Sequence, residues 1–512
     1  MNALAPSERA RAARRLSKHF MKVLTTCESL YLRGGESTLD GLHLYNLEQR
    51  NISAGFAWAR AHAGEVKYAA KLCSSYPAAG NNILSLRQHP RENLEWALAA
   101  LAAAERAVDR EGVLSDLDEI VGSAYLKLGE ASMALTYLER FLAAAMKAGD
   151  QASMATAYSH LGNMYFGLRE FRRAAEYHER SLSIEKKLGN GRGEAISLHG
   201  LGDCYCLLDE YDTAYGCYEE SLVISREVGY RKGEAHALAG LADVLRSRAD
   251  YLTAIRYLEE SRVVFSEAGD LQGDPYLLDQ LGSIYFEIGD YEKAVEYHGR
   301  SVTLAEEFGH SILESGALRS LGEAYVELGE PQEAILCYKR SLVIEQTIGR
   351  QWGEARSLRN IGDAHYALGE YDKAIGYYQQ ALSLDRLAGD PDGEAVTLDN
   401  LGMAFHLLGN HARAVEYHRE SLKIDRLTGD RVGEAISLYR LGVIFHEMGD
   451  YSQAVEHHQQ SLQIDRALGN QLGEAASLNR IADVFDSLGD HGRAEENRQA
   501  ALALAREIDN TG

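Results

Sequence analysis

Apolar residues return along most of this chain at the three- and four-residue spacing of a helix, in stretches that break at glycine. The segment GEARSLRNIGDAHYALGEYDKAIGYYQQALSLDRLAGD, from Gly353 to Asp390, shows the pattern. It predicts one helix from about Glu354 to Leu368, broken by Gly369. A second helix follows from about Tyr371 to Leu387 and stops at Gly389, the expected residue just past a helix C-terminus.

The pattern then repeats. Leu201-Gly202 recurs as Leu161-Gly162, Leu281-Gly282, Leu321-Gly322, Ile361-Gly362, Leu401-Gly402 and Leu441-Gly442. Looser copies are Val121-Gly122, Leu241-Ala242 and Ile481-Ala482. About ten units of about 40 residues run from about residue 115 to 508 without insertion, a period that signals stacked repeats. One alanine never varies, from Ala134, Ala174 and Ala214 through Ala374 to Ala494. Small residues at fixed places have a packing role. Gly362 vacates space where the second helix approaches the first, Ala374 does so from the other side, and Ala381 lets the next unit close in. Tyr125, Tyr165, Tyr205, Tyr285, Tyr325 and Phe405 are placed to fill the wedge between helices.

Leu201, Gly202, Tyr205, Ala214 and Tyr218 resemble the signature of the tetratricopeptide repeat. The signature tryptophan and closing proline are missing, and about six extra residues lengthen each unit. The resemblance implies an all-α fold: a tetratricopeptide-type α-solenoid, wound as a right-handed superhelix with the first helices lining its concave face. The expected layout is an N-terminal helical cap over 1–110, ten repeats over 111–508 and a short tail at 509–512. In the N-terminal region two helices are expected around a break at Gly34-Gly35, and another begins near Pro90. This region resembles the helical segment that precedes the repeats in bacterial STAND-type signalling proteins. The switch ATPase of those proteins is not in this chain, since no G-x-x-x-x-G-K-[ST] loop occurs.

Composition narrows the reading further. With 512 residues and a formal net charge of −23, the chain is a poor general ligand for nucleic acid or anionic membrane. No apolar run is long enough to span a bilayer, and the basic N-terminus lacks a secretory core. Six cysteines are too sparse for a disulfide framework, so a cytoplasmic location is expected. Cys204, Cys206 and Cys217 lack zinc spacing and are expected to be inert thiols. His178, His298, His418 and His458 occupy one repeat position, held by Tyr218, Tyr338 and Tyr378 elsewhere. They are spread along the array and cannot share one ion. The recurrent Gly-Glu pairs, such as Gly193-Glu194, Gly353-Glu354 and Gly433-Glu434, lack the lysine of a phosphate loop. Their glutamates suit the positive end of a helix dipole. No catalytic set, cofactor site or metal site is expected.

Function should therefore lie in polar residues that vary on the first helices. The positions just before each Leu-Gly pair, and one a turn earlier, are expected to face the groove. In the C-terminal half these are Arg319, Arg356, Arg359, Asn360, Asn400, Tyr439, Arg440, Asn479 and Arg480. Arg356, Arg359 and Asn360 share one helix face. The N-terminal half offers His199, Asp203, His236, Asp243, Tyr276 and Asp279 instead. Asp363, Asp399 and Asp483 are candidate internal partners of the arginines. The Asn/Arg pattern resembles the peptide-reading ladder of Pins-type adaptors, in which Asn pairs with peptide backbone and Arg with carboxylates. The expectation is a non-catalytic sensor or scaffold that binds a protein or extended peptide, an acidic one in the Arg-rich half. The alternative is a regulatory sensor subunit or fragment of a larger STAND-type system.

Overall fold

The computed structural model describes residues 6–33, 36–88, 90–106, 111–128, 130–267 and 273–511. Those residues form 25 helices and no strand. Five helices come first: α1 (Pro6–Arg33), α2 (Glu36–His62), α3 (Lys67–Ala79), α4 (Asn81–Arg87) and α5 (Pro90–Arg106). Pro90 opens α5, where its missing N–H costs nothing. The expected Gly34-Gly35 break lies outside the described residues.

Ten helix pairs follow at the 40-residue step. The first five are α6 (Glu111–Lys127) and α7 (Ala131–Ala148), α8 (Gln151–Gly167) and α9 (Phe171–Leu188), α10 (Gly191–Cys206) and α11 (Tyr211–Glu227), α12 (Arg231–Ser247) and α13 (Tyr251–Glu267), α14 (Asp274–Ile288) and α15 (Tyr291–Phe308). The last five are α16 (Ser311–Glu327) and α17 (Pro331–Ile348), α18 (Gln351–Ala367) and α19 (Tyr371–Ala388), α20 (Pro391–Leu407) and α21 (His411–Thr428), α22 (Arg431–Glu447) and α23 (Tyr451–Leu468), α24 (Gln471–Ser487) and α25 (His491–Thr511). The chain divides into two compact bodies, Met1–Leu277 and Leu278–Gly512. No helix among the described residues is long and apolar enough to cross a membrane.

Glycine, followed at several junctions by Asp or Asn, punctuates the pairs. Gly389 ends α19 in the left-handed conformation at φ 65°, where a side chain would be strained. Asp390 then caps α20 by accepting the Gly393 N–H at 3.1 Å. The first helix of this repeat starts at Gln351, three residues before the sequence places it, because helical geometry begins directly after the preceding turn.

Within a pair, small and large residues interlock. A Cβ on Gly362 would come within 2.5 Å of the Tyr378 ring, and one on Gly442 within 2.6 Å of His458. The ring position therefore demands the glycine beneath it. Ala374 is fully buried, as is Ala381. Where the second helix offers a ring, the wedge aromatics stack on it: Tyr165 on Tyr177 at 5.2 Å between centroids, Tyr285 on Tyr297 at 5.2 Å, Phe405 on Tyr417 at 5.4 Å. Several buried serines satisfy their hydroxyls on carbonyls of the facing helix, as Ser181 does on Ala155 at 2.9 Å and Ser461 on Ala435 at 3.0 Å. Glu495 and Glu496 lie exposed on the last helix.

Ala374→Leu is expected to cost about 1–3 kcal/mol by overpacking. In a repeat array that damage stays near the altered pair. Hydrogen exchange should accelerate in α18 to α20 and leave α24 unchanged; acceleration spread evenly from α16 to α25 would contradict it.

Candidate partner-binding face

The polar residues before each Leu-Gly pair divide into two sets. The last residue before the pair reaches sideways to the neighbouring first helix. Asn360 on α18 donates to Glu323 on α16 at 3.4 Å, and Asn400 on α20 to Asp363 on α18 at 3.0 Å. Arg440 on α22 sits 3.3 Å from Asp399 on α20, and Arg480 on α24 donates to the Tyr439 hydroxyl at 3.0 Å. Arg356 lies 4.0 Å from Glu323. These residues form a polar seam between successive first helices. Asp363 also accepts from Tyr378 at 2.6 Å, while Asp483 lies 3.6 Å from Arg480 and 3.3 Å from Arg498.

The residue one position earlier turns inward where it is arginine. Arg319 is buried and donates to the buried Glu345 at 3.0 Å. Arg359 donates to both oxygens of the buried Asp385 at 2.8 Å. The sequence pattern places both in the open groove, but each is committed to a carboxylate of its own repeat. A low-dielectric interior favours that pairing over exposure of the charge. Asn479 and Arg480 remain exposed, and Tyr439 is half-buried.

Glu345 and Asp385 belong to a series of buried acids near the ends of second helices, with Glu185, Asp425 and Asp465. This series explains the recurrent Gly-Glu pairs. A Cβ on Gly193 would come within 2.3 Å of the Glu185 carboxyl, one on Gly353 within 2.2 Å of Glu345, and one on Gly473 within 2.4 Å of Asp465. The glycine makes room for the acid of the preceding helix. The glutamate after it holds an arginine: Glu394 with Arg386 at 2.6 Å, Glu434 with Arg426 at 2.8 Å, Glu474 with Arg466 at 2.7 Å. Sequence reasoning found the motif and missed the acid, although an acidic residue eight positions before each of these glycines was a visible signal.

Where the inward arginine is absent, the buried acid lacks a cation among the described residues. The corresponding positions before Asp425 and Asp465 hold Asp399 and Tyr439. Burial pushes Asp425 up to about 6, with Ser437 donating at 3.1 Å. Asp465 accepts from Asn470 at 2.8 Å and Ser461 at 3.4 Å, and burial raises its carboxyl too. Beside Asp465 a cavity of about 530 Å³ opens on the first-helix face. Tyr366, Ile436, Tyr439 and Val443 line it with Arg440, Arg480 and Asn470. Ile436 and Val432 on this face are exposed. Apolar walls with a few convergent polar groups are the usual make-up of a binding cavity.

The acidic N-terminal face is likewise engaged internally. Asp203 accepts from Tyr218 at 2.7 Å, Asp243 pairs with Arg246 at 2.8 Å, and His236 packs edge-on against Phe265. His199 lies 3.7 Å from Asp203, and Tyr276 is exposed. Asp279, in the second body, meets His298 at 2.6 Å. Burial pushes Cys204 up to about 12 and Cys206 and Cys217 up to about 11, so these thiols stay protonated at neutral pH.

No curated protein matches the chain. Among solved structures, a Rap protein complexed with competence and sporulation factor is 12% identical, with 70% of this chain and 100% of that chain covered at a TM-score of 0.47. The apo quorum sensor NprR from B. thuringiensis is 13% identical, with 70% and 99% covered at 0.47. BtubC from P. vanneervenii is 22% identical, with 43% and 92% covered at 0.40. The tetratricopeptide repeat family matches residues 193–264, 275–344, 353–426 and 433–507, and a second tetratricopeptide description matches 154–191. With the family match running over more than half its length, the chain belongs to the tetratricopeptide repeat family.

Proposed function

We propose that the chain is a non-catalytic sensor or scaffold that holds an extended protein segment on the first-helix face between Tyr366 and Arg480. The 110 residues before the repeats serve in this reading as a helical cap. One observation carries the proposal: the cavity beside Asp465, whose walls are apolar and whose floor holds a buried carboxylate without a cation among the described residues. In α16 to α19 the same slot is filled by Arg319 or Arg359 on Glu345 or Asp385. A basic side chain of the partner would supply in trans what those arginines supply in cis, next to an apolar residue against Ile436 and Val443. Acidic residues of the segment would meet Arg440 and Arg480 at the rim, with Arg356 and Asn479 as further polar contacts.

A peptide-display library panned against the full chain tests this. Recovered peptides are expected to carry Lys or Arg beside an apolar residue. Asp465→Asn should weaken them about tenfold or more, since charged pairs out of water are worth several times an exposed one. Circular dichroism should show the helical fold intact. Peptides enriched only in Asp and Glu, with affinity lost in Arg480→Glu and kept in Asp465→Asn, would support the acidic-ligand reading instead. Absence of any recovered preference would overturn the binding face.

A further inference from the structure

The turn between the two helices of a pair is closed in several repeats by two rings five residues apart. Phe166 and Phe171 stand 5.5 Å apart between centroids, Phe286 and Tyr291 5.3 Å, Tyr366 and Tyr371 5.4 Å. In the α20–α21 pair both rings are imidazoles, His406 and His411, at 5.5 Å. The α22–α23 turn holds one imidazole, His446 on Tyr451 at 5.7 Å, so packing is met there with a single histidine, and the two lone-pair donors at the α20–α21 turn invite another explanation. The next first helix, α22, brings a third: Glu447 Oε1 lies 3.6 Å from His406 Nε2. One ligand atom from each of the three lies within 4.8 Å of the others. The Nδ1 atoms of His406 and His411 are buried without a hydrogen-bond partner.

We propose that His406, His411 and Glu447 bind one divalent transition metal of the zinc class, bridging the α20–α21 turn to α22. Two imidazoles and one carboxylate suit Zn²⁺, Co²⁺ or Ni²⁺, whereas Mg²⁺ and Ca²⁺ prefer oxygen ligands throughout. Metal–ligand bonds of about 2.0–2.2 Å require ligand atoms roughly 3.3 Å apart in a tetrahedron. Glu447, already 3.6 Å from His406 and half-exposed, can adjust by a rotamer change, and small rotations of the two imidazoles would draw the remaining ligand atoms together. His406 also lines the cavity beside Asp465, so the ion would stiffen one wall of the proposed binding face. The metal site stands without that function, because its ligands and its test do not involve a partner.

The test uses the full, tag-free chain stripped with a chelator. Zn²⁺ titration against a chromophoric competitor should give about one tight site, and Co²⁺ should produce the intense visible bands of four-coordinate cobalt. His406→Phe and His411→Tyr restore the ring pair of the sister repeats and should keep the fold, checked by circular dichroism. Each is expected to weaken Zn²⁺ binding at least about tenfold, by the loss of one of three ligands. Glu447→Gln should weaken it as well and change the Co²⁺ spectrum. Zn²⁺ affinity unchanged in His406→Phe and His411→Tyr, or no binding by the wild-type chain, would overturn the proposal.

Discussion

Glu345→Gln should destabilise the α16–α18 region by about 3–5 kcal/mol, whereas Arg319→Met should cost clearly less. Glu345 is fully buried and faces two arginines, with Arg319 Nη1 at 3.0 Å and Arg350 Nε at 3.5 Å. Removing the acid leaves both cations without an anion, and a guanidinium cannot shed its proton to escape burial. Stranding one member of a buried pair carries that order of cost. Removing Arg319 leaves Glu345 with Arg350, and a carboxylate can also neutralise itself by taking a proton. Asp425, which has no inward arginine, shows that escape route in its carboxyl pushed up to about 6. Local opening measured by hydrogen exchange in α16 to α18 decides the matter. Equal costs for the two variants would contradict the asymmetry.

Acid should loosen the repeat around His178 well before it reaches ordinary carboxylates. His178 is buried, neither ring nitrogen has a hydrogen-bond partner, and burial lowers its basicity to about 4, against a weaker opposing pull from Asp203. Above pH 6.5 the ring is neutral in both folded and unfolded chains, and the histidine adds no pH dependence. Below that the unfolded chain takes a proton that the folded chain refuses, so stability is lost as pH falls from about 6.5 to about 4. The loss is about 2 kcal/mol by about pH 5 and about 3 kcal/mol in full, from the size of the shift. Asp118, Asp363 and Asp425, raised to about 6, act with opposite sign, losing stability as pH rises through the same window. Whole-chain melting would mix the two effects, so hydrogen exchange in α8 to α10 is the proper readout. His178→Tyr, which copies the arrangement of Tyr218 over its own glycine, should remove the acid sensitivity there. An unchanged pH response in that variant would sink the assignment.

These two cases also mark where sequence reading stops. The buried histidines were legible in part: a repeat position shared by His178, His458, Tyr218 and Tyr378 reads as packing, and each ring does lie over a glycine. The inward arginines were not legible. Arg319 and Arg359 precede their Leu-Gly pairs by the same step as Tyr439 and Asn479, and periodicity gives all four the same helix face. Whether that side chain lies in the groove or dives toward the second helix depends on a buried acid 26 residues on.

By itself the sequence determined the helices, their pairing and the 40-residue step. Those features follow from local spacing, from glycine at helix ends and from one invariant alanine, all repeated ten times and so averaged over local noise. Only the tertiary structure decided which polar residues are free. Asn360, Asn400 and Arg440 became a seam between helices, Gly353 and Gly473 became room for buried carboxylates, and Asp465 faced an open cavity. Each of those outcomes joins residues from different helices. A charge chooses its partner by distance and desolvation in three dimensions, and periodicity along one helix carries neither.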